Sequence, residues 1–396
     1  MTVRAEPAVP VRAGWISLLF LANLGLWLAF YAPIQVLLPR QAELLATGDK
    51  ELVFGVVTGV GAAVSVVANP LAGALSDRTG RRHPWTLGGA VVGAAGLSVL
   101  AAAGDVVTMT VGWCVVQAGL NAMLASLVAA LPDRVPVVQR ARVGGLVGIS
   151  QMLGTVAGTL VVTLLVTGLA EGYLACAALV VLAAAGFALR TPDAVVPSRR
   201  RGRLWVSPRR FPDFAWGWSC HFAINLGNAF GTLYLLFFLG DVVHHPDPET
   251  GLLVLMGLYG TALTVGGVVA GVLSDRTGRR KPHVLVSCAL MALAALLLAV
   301  RPTWGSALCA APLLGLGFGI YWAVALALLT QVLPAADDRA KDLGVLNIAN
   351  SLPQVVAPLL ATPILGAFGG YSGLFVASAG ATLLGGVFVS RVRGVG

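Results

Sequence analysis

The sequence predicts an all-α membrane protein of twelve transmembrane helices, arranged as two pseudo-symmetric six-helix bundles. Three observations predict it. Of 396 residues, 57% are hydrophobic and only 11% charged, with a mean hydropathy of +0.86. Soluble domains carry about 25% charged residues, so most of this chain must face lipid. The string Gly73-Ala-Leu-Ser-Asp77-Arg78-Thr-Gly80-Arg81-Arg82-His83-Pro84 returns almost unchanged as Gly271-Val-Leu-Ser-Asp275-Arg276-Thr-Gly278-Arg279-Arg280-Lys281-Pro282. A polar, arginine-rich stretch written twice, each time between long apolar runs, marks an internal duplication. Lastly, when the apolar runs are laid out in order, nearly all basic residues fall on one side.

Runs of roughly 17–25 apolar residues match the bilayer core. On that rule the first half supplies spans at about 14–38, 51–74, 85–103, 107–131, 143–168 and 172–190. The second half supplies about 214–240, 251–273, 284–300, 305–333, 343–368 and 372–390. Residues 1–190 therefore form an N-terminal bundle and residues 214–396 a C-terminal one. Between them, residues 191–213 hold Arg199, Arg200, Arg201, Arg203, Arg209 and Arg210 among four prolines, the composition of a basic linker.

With the N-terminus placed inside, only Arg40, Lys50 and Arg301 fall outside. Arginine and lysine collect in cytoplasmic loops, so both termini and the linker are expected in the cytoplasm and the protein in the plasma (inner) membrane. The net charge of +9 then reports topology, and no nucleic-acid partner is implied. Arg4 and Arg12 precede the first span with no cleavage pattern of a signal peptide. Cys114, Cys176, Cys220, Cys288 and Cys309 all sit inside apolar runs, which implies neither a disulfide framework nor a metal site. No nucleophile–base set or phosphate-binding loop points to an enzyme, and no cofactor is expected.

The halves match beyond the doubled motif. Asn23-Leu24-Gly25 in the first span recurs as Asn225-Leu226-Gly227 in the seventh, and Arg140-Ala-Arg142 is echoed by Arg339-Ala-Lys341. Parallel six-plus-six repeats are a transporter architecture. The repeated Gly-x-Leu-Ser-Asp-Arg-x-Gly-Arg-Arg stretch, after spans two and eight, resembles the signature loop of the major facilitator superfamily, and the resemblance covers essentially the whole chain. Asp342-Leu-Gly-Val-Leu-Asn347-Ile-Ala-Asn350-Ser-Leu-Pro353-Gln354, with the Gly-Arg-Arg-His/Lys-Pro endings, is similar to the glycoside–pentoside–hexuronide and sucrose-transporter branch. Members of that branch usually carry extra residues within the signature loop, and this chain does not.

The resemblance implies alternating access, with Asp77, Arg78, Arg81, Arg82, Asp275, Arg276, Arg279 and Arg280 as gating residues. Asp77 stands near the C-terminal end of its span, where the helix dipole disfavours an anion. It therefore needs a partner, which the resemblance places at the N-terminus of the eleventh helix around Asp342 to Leu346, with a nearby arginine. By symmetry Asp275 is expected near Arg142 to Gly145.

Polar groups inside spans are costly in lipid and face a cavity or another helix. Helix one carries Asn23, Trp27, Tyr31 and Gln35, and helix four Gln117 and Asn121. Helix five carries Gln151. Helix seven carries His221, Asn225, Asn228 and Thr232 on one face. Tyr321 and Trp322 in helix ten, and Asn347, Asn350 and Gln354 in helix eleven, complete the candidate substrate site. Amides, phenols, one imidazole and almost no charge suit a small neutral organic solute, sugar- or glycoside-like. The competing reading of each residue is plain interhelical hydrogen bonding, at about 0.6 kcal/mol apiece. Every acid lies in a loop or at a span end, so His221, the sole histidine inside a span, is the expected proton carrier. The function expected is secondary or facilitated transport by a monomer in the lipid bilayer, with protons as a candidate co-substrate. The alternative is proton-coupled efflux of drugs or secondary metabolites.

Overall fold

A computed structural model describes residues 9–46, 48–193, 212–331 and 339–393. Every regular element among them is helical. Eleven helices are long and apolar enough to cross a membrane, and a twelfth, apolar over Val356–Ala367, stands where the eleventh span was expected. The linker arginines Arg199, Arg200, Arg201, Arg203, Arg209 and Arg210 lie outside the described residues.

The first span is α1 (Ala13–Ala32), a π-helical turn (Pro33–Leu37) and α2 (Leu38–Leu45). It runs seven residues past the expected end at 38, since the polar run Arg40-Gln41-Ala-Glu43 reads as loop in the sequence yet folds as helix. Gln41 explains this: buried, its amide donates to the carbonyls of Leu100 (2.9 Å) and Ala103 (3.1 Å) and accepts from the Tyr173 hydroxyl (2.8 Å). Pro33 and Pro39 bring no N–H of their own, and the wider π turn absorbs the missing bonds.

Next come α3 (Lys50–Thr79), α4 (His83–Ala102) and α5 (Val106–Arg134). Then follow α6 (Val137–Leu160) with a second π turn (Val161–Leu165), and α7 (Leu169–Arg190). The fifth membrane span begins at Val143 as expected, but its helix starts six residues earlier and carries Arg140 and Arg142; Arg140 caps the preceding helix through the Val135 carbonyl (3.0 Å). The expected polar loop at 73–84 shrinks to Gly80–Arg82, because α3 continues through Asp77 to Thr79. It stops where Gly80 takes a left-handed conformation (φ +66°) and returns its N–H to the Ser76 carbonyl.

The second half has α8 (Pro212–Thr232), α9 (Leu235–Asp241), α10 (Pro248–Thr277), α11 (Lys281–Val300), α12 (Trp304–Gln331), α13 (Arg339–Ala367) and α14 (Gly370–Arg391). The seventh span, expected at about 214–240, runs over Pro212–Asp241, with a turn at Leu233–Tyr234 separating α8 from α9. The helix α10 ends as α3 does, on a left-handed glycine, Gly278 (φ +64°), bonded to Ser274.

Contacts divide the chain into Met1–Arg200 and Arg201–Gly396. Inside the first unit α1 packs on α6 and α7, α3 on α5, and α4 on α5 and α7. Inside the second, α8 packs on α13 and α14, α10 on α12, and α11 on α12 and α14. These are the same five helix pairs, so the duplication read from the motifs extends to the packing. The Asn-Leu-Gly repeat belongs to it. A Cβ on Gly25 would lie 2.6 Å from Ala183 Cβ on α7, and one on Gly227 would lie 2.9 Å from the Ser378 carbonyl on α14. Glycine is what lets both helix pairs approach so closely. Side chains such as Val67 (64% exposed) and Leu182 (68% exposed) cover the outside, where only a bilayer can bury them.

Candidate functional site

In the first unit the expected residues gather in two polar groups. Tyr31 on α1 accepts from the Gln151 amide on α6 at 3.4 Å, and Trp27 stacks obliquely on Tyr31 with ring centroids 5.8 Å apart. One turn along, Gln35, buried in the π turn, meets the Thr159 hydroxyl of α6 at 3.4 Å. The second group lies between α3 and α5. Asn121 donates to the carbonyl of Gln117 (2.8 Å) and to its side-chain oxygen (3.1 Å), and accepts from Asn69 at 3.3 Å. Asn23 is buried, and its amide donates to the Leu19 carbonyl of its own helix at 2.9 Å.

In the second unit His221 on α8 is buried against α12, with its Nδ1 2.5 Å from the Tyr321 hydroxyl. Trp322 meets the same imidazole edge-on at 5.9 Å and is itself 40% exposed, next to Phe318. A second pair joins α8 to α10: the Tyr259 hydroxyl donates to Asn228 at 3.1 Å, and Thr232 bonds back to the Asn228 carbonyl. Asn225 repeats what Asn23 does, donating to the His221 carbonyl at 2.8 Å. The equivalence of Asn23 and Asn225 thus holds at the level of single hydrogen bonds. The side chains of Asn347, Asn350 and Gln354 lie outside the described residues, although α13 passes through all three positions.

The doubled motif folds alike in both copies and is used differently. In the first, Arg82 is buried, and one guanidinium joins three groups. Nη2 meets Asp77 at 2.7 Å, Nε meets Asp133 at 2.8 Å, and Nη1 donates to Ser76 at 2.6 Å. Its backbone N–H donates to Asp193 at 3.0 Å, and its carbonyl accepts from Ser126 at 2.7 Å. One residue thereby ties α3, α5 and the chain just after α7 together. Burial alone would lower the Arg82 pKa, but Asp77 and Asp133 outweigh it, and the net direction is upward. His83, the next residue, meets Thr191 at 3.1 Å and the Phe187 ring edge-on at 5.2 Å. Arg78 and Arg81 stay exposed. In the second copy Arg276 and Arg279 are exposed and Arg280 is half-buried, while the side chains of Asp275, Asp342 and Arg142 lie outside the described residues.

Sequence reasoning missed Asn69, Ser76, Asp133, Asp193 and Thr159. Asn69 has a signal, since a lone amide before Pro70 in an apolar span calls for a partner. Asp133 has none, because an acid at the end of a span looks the same whether it meets water or an arginine.

Residues 16–260 and 239–395, nearly all of the chain, match the Major Facilitator Superfamily. The chain belongs to that superfamily. It is accordingly a multi-pass membrane transport protein and not an enzyme. A probable 4-methylmuconolactone transporter of Cupriavidus pinatubonensis (strain JMP 134 / LMG 1197) is 36% identical over 117 residues, 30% of this chain and 26% of that protein. The match therefore spans about a quarter of the relative's length. Among solved structures, the peptide transporter POT in complex with sulfate aligns with a TM-score of 0.80 at 13% identity, over 97% of this chain and 96% of that one. The nucleoside transporter NupG aligns at 0.75 and 14% identity, over 95% of this chain and all (100%) of NupG. A bacterial homologue of the human lysosomal transporter Spinster, inward-facing and unoccupied, aligns at 0.71 and 14%, over 96% of each chain. These likenesses show the fold.

Proposed function

We propose that this superfamily member moves a small neutral organic solute by alternating access of its two bundles, with polar side chains on spans one, four and five of the first unit and on spans seven, eight and ten of the second as the solute-binding groups. The observation that carries the reading is the chemistry of those side chains. Tyr31, Gln151, Gln117, Asn121, Asn228, Tyr259 and Tyr321 are amides and phenols already oriented by one another, with the imidazole of His221 among them. Amides and phenols exchange hydrogen bonds with hydroxyls and carbonyls and offer no counter-charge to an ion. A sugar- or glycoside-like solute is the first candidate. A neutral lactone is the second, favoured by the 4-methylmuconolactone relative and by the aromatic wall of Phe318, Tyr321 and Trp322. The basic ends of the spans, Arg82 and Arg280 included, face the cytoplasm in this reading, and the Arg82 clasp holds the first bundle in one arrangement of its helix ends.

Counterflow tests it. Proteoliposomes preloaded with unlabelled glycosides or lactones are expected to draw in the matching labelled solute faster than empty liposomes. Equal rates across both panels would remove the neutral-solute assignment.

A further inference from the structure

The amide groups of the first unit sort themselves by how many of their hydrogen bonds are already made. Gln41 spends both donors and its oxygen on the protein. Gln117 does not, and its orientation is not a matter of choice. The Gln117 main-chain carbonyl can only accept, so the Asn121 atom 2.8 Å from it must be the amide nitrogen. That nitrogen also reaches the Gln117 side chain at 3.1 Å, so the Gln117 atom there must be the oxygen. The other end of Asn121 is then an oxygen, which Asn69 meets with a donor at 3.3 Å. The chain of amides therefore runs in one direction, Asn69 to Asn121 to Gln117, and it ends on the Gln117 Nε2 group. Among the described residues no acceptor meets those two N–H bonds, although Gln117 is only 7% exposed. Gln117 is also held from behind. It packs beside Trp113 over Gly61 of α3, where an added Cβ would come 3.3 Å from Gln117 Cγ and 2.6 Å from Trp113 Nε1.

We propose that Gln117 Nε2 is the donor that reads a neutral carbonyl oxygen of the solute. Donors that no protein acceptor meets, on a side chain held in place by its neighbours, favour a ligand that brings an acceptor. The oxygens of Asn121 and Gln117 each already accept one bond and keep one lone pair, so a hydroxyl seated here must place its own proton on a partly used acceptor, whereas a carbonyl has no proton to place. A carboxylate would arrive charged with no cation among the described residues of α3 and α5 near Gln117 to offset its desolvation. The solute class is then a neutral carbonyl compound, such as a sugar lactone. This rests on the proposed reading of the span-four face as part of the solute site.

The test uses the full-length protein in nanodiscs and three probes of one carbon skeleton: galactonolactone, galactitol and galactonate. Wild type is expected to bind the lactone about tenfold more tightly than galactitol. Gln117→Glu, which replaces donors by acceptors, and Gln117→Met, which removes both, are expected to bring the two within about twofold. A preference that survives in both variants, or a wild type that favours galactonate or galactitol, overturns the assignment. So does a wild type that ignores the lactone while exchanging another solute in counterflow, and the transport reading then stands. If wild type exchanges nothing from any panel, the solute-site reading falls and takes this proposal with it. Either variant suffices if the other fails to fold, and an unchanged melting temperature qualifies it.

Discussion

At the scale of single residues, two side chains carry distinct expectations. His221 hydrogen-bonds the Tyr321 hydroxyl through Nδ1; in the tautomer whose Nδ1–H donates, Nε2 keeps the lone pair that the proposed proton coupling needs. His221→Gln, which keeps a hydrogen-bonding side chain in the site, is expected to abolish accumulation driven by a pH gradient while solute exchange persists at a reduced rate; unchanged accumulation in that variant removes the imidazole from the coupling mechanism. Arg82 is the second. Breaking one member out of a buried ion-pair cluster costs about 3–5 kcal/mol, whereas a partly exposed arginine costs at most about 0.5 kcal/mol. Arg82→Gln should therefore lower the melting temperature steeply and Arg280→Gln barely, although the two residues occupy the same place in the motif. Comparable shifts in thermal unfolding would show that the burial difference has no energetic weight. The sequence named both arginines and could not rank them, because the ranking depends on Asp133 and Asp193, which are distant in the chain and have no pattern of their own.

At the scale of elements, helix starts were the less legible ends. Stops are written plainly: Gly80 and Gly278 end α3 and α10 as left-handed caps. Starts depend on single side-chain bonds such as Asp105 to Thr108 (2.9 Å) and Asp247 to Thr250 (3.1 Å). The hydrogen bonds from Thr250 pull the Asp247 pKa below its ordinary value. A carboxylate whose folded pKa is depressed adds stability above the unfolded value of about 4, and that stability is lost as the pH falls through the folded value. Asparagine caps about as well as aspartate but does not titrate. Asp247→Asn should thus match wild type near neutral pH and lose less of its α10 protection in acid. Hydrogen exchange at Gly251, whose N–H bonds to the Asp247 carbonyl at 3.0 Å, reads it directly. The π turns, in contrast, had only partial warning: Pro33 announces the first, and the second at Val161–Leu165 has no proline and no sequence signal we can identify.

At the scale of the whole molecule, the twelve-helix class and the duplication were legible because lipid imposes them on composition and arginine placement. The candidate site was legible only as a set of polar positions. Which of them pair, Tyr31 with Gln151 or Asn121 with Asn69, depends on helix rotation, and helices apolar all round carry little phase information. The five helix pairs shared by the two units bear on synthesis. Each pair closes within one half, so a ribosome that has finished the first two hundred residues has already made both members of every pair in the first unit. Severing the gene between Arg200 and Arg201 and co-expressing the pieces should yield two membrane-inserted fragments that co-purify and restore counterflow. Degradation of the first fragment when made alone would mean that its packing, complete on paper, is not self-sufficient.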